Sequence, residues 1–106
     1  MQSVMIKADR PRGLRFSTSA FCKLEEITGR STSELNEGAG MQELRAMIYC
    51  GLYWEDKKLT LEDAGDIMDI ILQNYGIDYL SDNLGKAIEL ALGQNNDNKF
   101  KKKQNR

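Results

Sequence analysis

Two short segments near the N-terminus alternate apolar and polar side chains, which is the pattern of half-buried β-strands. They cover residues 3–8 and 13–17. The connecting residues 9–13 include Pro11, which fixes φ, and Gly13, which tolerates positive φ, so they predict a tight turn. The pattern therefore predicts a β-hairpin. An isolated hairpin is marginally stable in water, so this one must pack against other elements.

From residue 18 onward, apolar side chains recur every three or four residues, which is the spacing of one face of an α-helix. We expect the first helix to be capped by Thr18 or Ser19 and to end at Gly29. Three further helices are expected over residues 31–35, about 41–54 and about 78–92. Another helix, before the last of these, is expected to begin after a cap at Thr60, with Asp63 in its capping box, and to end at Gly76.

The apolar stripes of these helices are expected to pack against each other and against one face of the hairpin. Gly51 interrupts the third helix, so it is expected to mark either a close helix crossing or the end of the regular helix. We interpret four methionines as core residues: Met5, Met41, Met47 and Met68. The later aromatic residues are also interpreted as core, with a partner surface as the alternative: Tyr49, Tyr53, Trp54, Tyr75 and Tyr79.

The fold class expected from these elements is mainly α, a small domain of four to five helices preceded by a short N-terminal β-hairpin over residues 3–17. A chain of 106 residues has room for one domain. We assign that domain to residues 1–93. Residues 94–106 contain a single apolar residue among Asn, Gln and Lys, and they predict a disordered basic tail.

The net charge of −1 hides a strong segregation of charge along the chain. Residues 1–30 carry +3, residues 31–93 carry −8 and residues 94–106 carry +4. An acidic body repels phosphate backbones, so nucleic acid is not an expected partner. It attracts a basic protein surface, or it is simply a solvated face.

Composition argues against an enzyme. The chain has no histidine, which removes His-dependent catalytic triads and His-ligated metal sites, and it has no phosphate-binding glycine motif. Cys22 and Cys50 lie far apart in the sequence and are expected to be free thiols. The acidic residues from 62 to 69 do not fit an EF-hand loop. We therefore expect no catalytic residue, no cofactor and no metal, and the absence of a long apolar run predicts no membrane span.

Several segments together resemble a known family, in order and spacing, from about residue 13 to 92. They are Leu14–Phe16, Phe21–Gly29, Ser33–Leu35, Glu43–Leu52 and Leu59–Met68. This set is similar to the small tail assembly chaperones of long-tailed bacteriophages and prophages, including the group related to gene-transfer-agent tail proteins. The N-terminal hairpin is the part that departs from the family pattern.

The resemblance implies a non-enzymatic role in the cytoplasm of a bacterial host. Such chaperones bind the long tape-measure protein, keep its apolar helices soluble and help tail-tube subunits polymerise around it, so the tail-tube protein is a second expected partner. Many are made in two lengths by ribosomal frameshifting. This chain would be the short form, and Lys101–Lys103 are compatible with a slippery adenine run.

The family pattern transfers no residue-level partner site, so the expected contact comes from the residues themselves. We expect partner binding on the last two helices, through the acidic residues Glu62, Asp66 and Asp69, with Trp54 and Tyr75 at the edge. The alternative function is a structural subunit of the tail, such as a tube or junction protein. A small DNA-binding regulator is a remote alternative, because residues 59–93 contain one Lys, no Arg and seven acidic residues.

Overall fold

Five helices follow a two-stranded hairpin in the computed structural model, which describes residues 2–93. The elements are β1 (Val4–Lys7), β2 (Pro11–Leu14), α1 (Thr18–Thr28), α2 (Thr32–Glu37), α3 (Met41–Leu52), α4 (Leu61–Asn74) and α5 (Ile77–Ala91). The predicted fold class, mainly α with an N-terminal hairpin, is confirmed. The predicted disordered tail over residues 94–106 lies outside the described residues.

The hairpin is tighter than its sequence suggests. β1 and β2 are antiparallel, with Val4 opposite Leu14 and Lys7 opposite Pro11, so three residues connect the strands. The prediction that the turn extends to residue 13 was wrong, because Pro11 already pairs within the ladder. Proline is tolerated there since it lies at the first position of an edge strand, where its missing N–H weakens the ladder little.

The start of α1 differs from the predicted one by a single residue. Ser17 is the N-cap, and its Oγ accepts a hydrogen bond of 3.1 Å from the backbone N–H of Ala20. Thr18 and Ser19 already belong to the helix, so the prediction that one of them is the cap was wrong. Ser17 is the last residue with extended backbone dihedrals, which an N-cap requires. Gly29 ends the helix in the left-handed conformation, as predicted.

Capping boxes define the starts of two further helices. The Thr60 side chain accepts from the Asp63 N–H, and the Asp63 carboxylate accepts from the Thr60 N–H, as predicted for α4. Ser31 and Glu34 form the same arrangement at α2, which extends further than the predicted segment. The ends of α3 and α5 differ from the predicted ones by one or two residues.

α3 lies at the centre of the fold, where it packs against α1, α4 and β2. Gly51 allows this packing, because a Cβ at this position would lie 2.9 Å from Leu14 Cδ2 and 3.0 Å from Phe16 Cζ. The Gly51 carbonyl, which is near the end of the helix, accepts a hydrogen bond of 2.9 Å from the Arg15 N–H. The predicted helix crossing at Gly51 was wrong, because its close neighbours belong to the end of the hairpin. The alternative, that Gly51 marks the end of the regular helix, is confirmed, since α3 ends at Leu52.

Not every residue of the predicted stripes is buried. Met47 and Met68 lie in the core, whereas Met5 and Met41 are 61% and 60% exposed, so the prediction that these two are core residues was wrong. Met5 lies on the open face of the hairpin, and Met41 is the first residue of α3, where no preceding turn covers it. None of the helices within residues 2–93 is long and apolar enough to cross a membrane.

Candidate functional site

The acidic residues Glu62, Asp66 and Asp69 are exposed on one side of α4. Their spacings of four and three residues place them on neighbouring turns of the same helical face. The Thr60 capping box fixes where α4 begins. From that start, Ala64, Ile67, Met68 and Ile71 turn inward, and the three carboxylates are left at the surface. The structure thus brings together the acidic part of the predicted partner site.

These carboxylates border a groove of about 410 Å³ between α3 and α4, which we call the α3–α4 groove. Its other lining residues include Met41 and Arg45 from α3 and Met68 and Leu72 from α4. Met41 provides exposed apolar surface that adapts to the shape of a partner, because the thioether side chain is flexible and polarizable, whereas Met68 lies buried at the bottom of the groove. The groove therefore combines an apolar base with an acidic rim.

Arg45 is the basic residue that lines the α3–α4 groove. It crosses close to α4 at Gly65, where an added Cβ would lie 3.3 Å from Arg45 Cδ. The Arg45 Nε is buried and has no hydrogen-bond partner within residues 2–93. Over the same residues, none of the ion pairs joins Arg45 to the three carboxylates of the rim. The three carboxylates of the rim are thus not neutralised by an ion pair within the described residues.

Trp54 lies away from the α3–α4 groove, in a smaller pocket of about 200 Å³ beside the N-terminus of α1. Its ring is 37% exposed, and its indole N–H donates a hydrogen bond of 2.9 Å to the Gly13 carbonyl. The Arg15 guanidinium lies 4.9 Å from the centroid of the Trp54 ring. Trp54 therefore attaches the hairpin to the end of α3, whatever further contact it makes.

Tyr75 lies at the corner between α4 and α5 and is 43% exposed. Its ring is tilted against that of Tyr79, with 5.0 Å between the ring centroids. The Tyr79 hydroxyl in turn accepts a hydrogen bond of 2.9 Å from the Lys7 N–H. Tyr75 thus covers a contact between α5 and β1, and neither it nor Trp54 lines the α3–α4 groove. A partner contact at either residue stays a prediction.

An ion pair made by the buried Arg12 with partly exposed carboxylates holds the hairpin, and the sequence pattern did not indicate it. Arg12 is only 5% exposed, and its guanidinium binds both carboxylate oxygens of Asp9 at 2.7 and 2.8 Å and reaches Asp56 at 3.5 Å. The hydrogen bond from Arg12 lowers the pKa of Asp9 below its ordinary value. Glu55 completes the attachment, because its carboxylate accepts a hydrogen bond of 3.0 Å from the Gly13 N–H.

Both cysteines are free thiols, as predicted. Cys22 is exposed, whereas Cys50 is buried, and its removal from water raises the pKa of its thiol to about 11. The Cys50 thiol is therefore protonated at neutral pH and is a poor nucleophile and metal ligand. Across residues 2–93, no three Cys, Asp or Glu side chains are grouped to hold a metal ion.

Comparisons of this chain with protein-family models, with curated proteins and with solved structures found no match. Arguments about function therefore depend on the surfaces described above. The sequence located the acidic residues of the α3–α4 groove but missed Met41, which it assigned to the core. The position of Met41 at the start of α3, immediately after the link that ends at Gly40, is the feature that could have indicated its exposure.

Proposed function

We propose that this protein is a tail assembly chaperone of a long-tailed bacteriophage or prophage, acting in the cytoplasm of the bacterial host. In this role it binds the tape-measure protein and keeps that protein's apolar helices soluble while tail-tube subunits assemble around them. The ordered resemblance over residues 13 to 92 supports the proposal from the sequence. The α3–α4 groove is the structural observation that carries it.

The α3–α4 groove has the properties that a helix-binding chaperone needs. An amphipathic helix binds a groove by placing its apolar face on an apolar base, and flexible methionines allow one groove to accept different helices. Met41 lies exposed in this base, and the buried Met68 lies beneath it. The carboxylates of Glu62, Asp66 and Asp69 favour a partner with lysine or arginine beside its apolar face, and they keep the complex soluble.

The direct test is co-expression of this chain with the tape-measure protein of the same phage or prophage, followed by affinity purification. We expect the tape-measure protein to become soluble and to co-purify with the chain. Any product lengthened by frameshifting is expressed separately, so that binding by the short chain is measured by itself. The proposal is contradicted if the tape-measure protein stays insoluble and unbound with both products.

The same experiment separates the chaperone from a structural subunit of the tail. A tube protein assembles with itself, so it forms rings or tubes in the absence of the tape-measure protein. Electron microscopy of the purified chain detects such assemblies. Tubes formed by the chain alone, together with failure to bind the tape-measure protein, would identify it as a structural subunit.

A further inference from the structure

The pocket beside Trp54 has a charge opposite to that of the body around it. We call it the α1–α3 pocket; it is lined by Arg15, Lys23, Cys50, Tyr53, Trp54 and Lys57, together with the first residues of α1. Three of these side chains are cations, and none of the lining residues is acidic. Arg15 and Lys23 come from the basic residues 1–30, whereas Lys57 comes from residues 31–93, which carry a net charge of −8, so the fold gathers cations from both parts of the chain.

Aromatic rings hold these cations in place. The Lys23 ammonium lies 4.1 Å from the centroid of the Tyr53 ring, and the Lys57 ammonium lies 5.0 Å from the same centroid. Arg15 lies over Trp54 in the same way. Cation–π contacts fix the positions of these groups but do not neutralise their charge. The pocket thus gathers like charges that a bound anion would stabilise.

The nearby carboxylates are occupied elsewhere. Asp56 pairs with Arg12, and Glu55 accepts from the Gly13 N–H, although both follow Trp54 directly in the sequence. Among the ion pairs of residues 2–93, none includes Arg15, Lys23 or Lys57. Since its thiol is protonated at neutral pH, Cys50 adds no competing negative charge.

The N-terminus of α1 adds to the positive potential. Ser17, Ser19 and Ala20 line the pocket, and the first turn of this 11-residue helix contains no acidic residue. The Ala20 N–H already donates to Ser17 Oγ, but the N–H groups of Thr18 and Ser19 have no acceptor within their own helix and favour an anion placed near them. This effect reinforces the three cations and points in the same direction.

The volume and the apolar lining of the pocket indicate what kind of chemical group is attached to the anion. Its volume is about 200 Å³, and aromatic and aliphatic carbon atoms form much of the lining. An apolar cavity of about 150 Å³ accepts a benzene-sized molecule, so this pocket has room for one ring and one charged group. An inorganic ion alone would leave the apolar part of this volume unfilled.

From these observations we propose that the α1–α3 pocket binds a carboxylate attached to an apolar body about the size of one amino-acid side chain. The carboxylate lies between the cations at the N-terminus of α1, and the apolar body contacts Tyr53 and Trp54. A free small acid and the C-terminal residue of a protein share this chemistry. The site is separate from the α3–α4 groove, and it does not depend on the chaperone role.

Fluorescence provides a direct test, because Trp54 is the single tryptophan of the chain. The full chain is titrated with N-acetylphenylalanine, with its amide and with 3-phenylpropionate, and amide-resolved NMR locates the perturbed residues. We expect saturable binding of the carboxylates, with shifts around the start of α1, and binding of the amide that is weaker by at least about tenfold. Equal binding of the acid and the amide, or no saturable binding, would overturn the proposal.

The source of the carboxylate and the role of the cations are tested with the same probes. Tighter binding of N-acetylphenylalanine than of 3-phenylpropionate identifies a protein C-terminus, whereas equal binding identifies a free small acid. Lys23→Gln and Lys57→Gln are each expected to weaken binding about tenfold, while Lys58→Gln, outside the pocket, leaves it unchanged. Because Lys57 is exposed, its variant keeps the test valid if Lys23→Gln unfolds. Equal effects of all three substitutions would show that binding depends only on the overall positive charge of the protein, and would contradict the proposal.

Discussion

At the scale of single residues, two side-chain environments determine how the hairpin joins the helices. Gly51 provides the space in which Leu14 and Phe16 pack against α3, and both of these side chains are completely buried. Arg12 provides the charge that binds Asp9 within the hairpin and Asp56 beyond α3. Both features are local, so each predicts the effect of a single substitution.

Gly51→Ala is expected to destabilise the protein by about 1–3 kcal/mol, although alanine favours helices over glycine. The new methyl group would overlap the side chains of Leu14 and Phe16, both of which are buried, so they must shift within the core to admit it. The matched control is Gly85→Ala in α5, where a Cβ meets nothing within 4 Å, and it is expected to stabilise by up to about 1 kcal/mol. Urea denaturation measures both. A stabilising effect at Gly51 would mean that the hairpin does not pack there.

Asp9→Asn is expected to lower the free energy of unfolding by about 1 kcal/mol or less at pH 7, because it removes a charged but partly solvent-exposed partner of the buried Arg12. Folding lowers the pKa of Asp9, so its contribution is complete above the unfolded-state pKa of about 4. The contribution is lost as the pH falls from there through the lower folded-state pKa.

The difference in stability between wild type and Asp9→Asn should therefore shrink as the pH falls below about 4. Urea denaturation at a series of pH values measures this difference. The control is Asp69→Asn, which changes an exposed carboxylate outside the ion pairs of residues 2–93. A difference for Asp9→Asn that is constant with pH would show that the ion pair does not stabilise the fold.

At the scale of elements, helix starts were easier to predict than the hairpin. The Thr60–Asp63 pair predicts the start of α4, because a capping box is a local interaction between residues only three positions apart in the sequence. The position of β2 depends instead on Trp54, Glu55 and Asp56, more than 40 residues away. The periodicity of the sequence contains no information about such distant partners.

The N-terminus of α1 offers a sharp test at this scale. Ser17→Ala is expected to cost about 1 kcal/mol of stability, because the Ala20 N–H loses its acceptor. Thr18→Ala, one residue later, is expected to change the stability by only a few tenths of a kcal/mol, since Thr18 is exposed and already helical. Thermal or urea denaturation compares the two variants. A larger loss of stability for Thr18→Ala than for Ser17→Ala would show that Thr18, one of the two caps suggested by the sequence, is the N-cap.

At the scale of the whole molecule, two concave regions of the described surface differ in charge. The α3–α4 groove is acidic and rich in methionine, whereas the α1–α3 pocket is cationic and aromatic. The sequence identified the acidic residues of the groove because their helical spacing is regular. It did not identify the pocket, whose cations come from a strand exit, a helix and a loop, and it did not separate Trp54 and Tyr75 from the groove.

The charge of the groove should control binding of the tape-measure protein. Replacing Glu62, Asp66 and Asp69 together by their amides is expected to weaken the complex and to reduce its sensitivity to salt, because fewer charges attract the basic partner. The matched control replaces three exposed carboxylates elsewhere by amides: Glu26, Asp78 and Asp82. Both variants change the net charge equally. Co-purification at a series of salt concentrations shows whether binding depends on the three carboxylates of the groove or only on the net charge of the protein. Equal losses of bound tape-measure protein in both variants would contradict the assignment of the groove as the binding site.

The central claim is that the α3–α4 groove binds the tape-measure protein, and one comparison tests it most directly. Met41 and Met5 are about equally exposed, but only Met41 lines the groove. The measurement is the amount of soluble tape-measure protein that co-purifies with wild type, Met41→Gln and Met5→Gln. We expect Met5→Gln to equal wild type and Met41→Gln to retain about a tenth or less. Equal co-purification with both variants, or none with wild type, would contradict the claim.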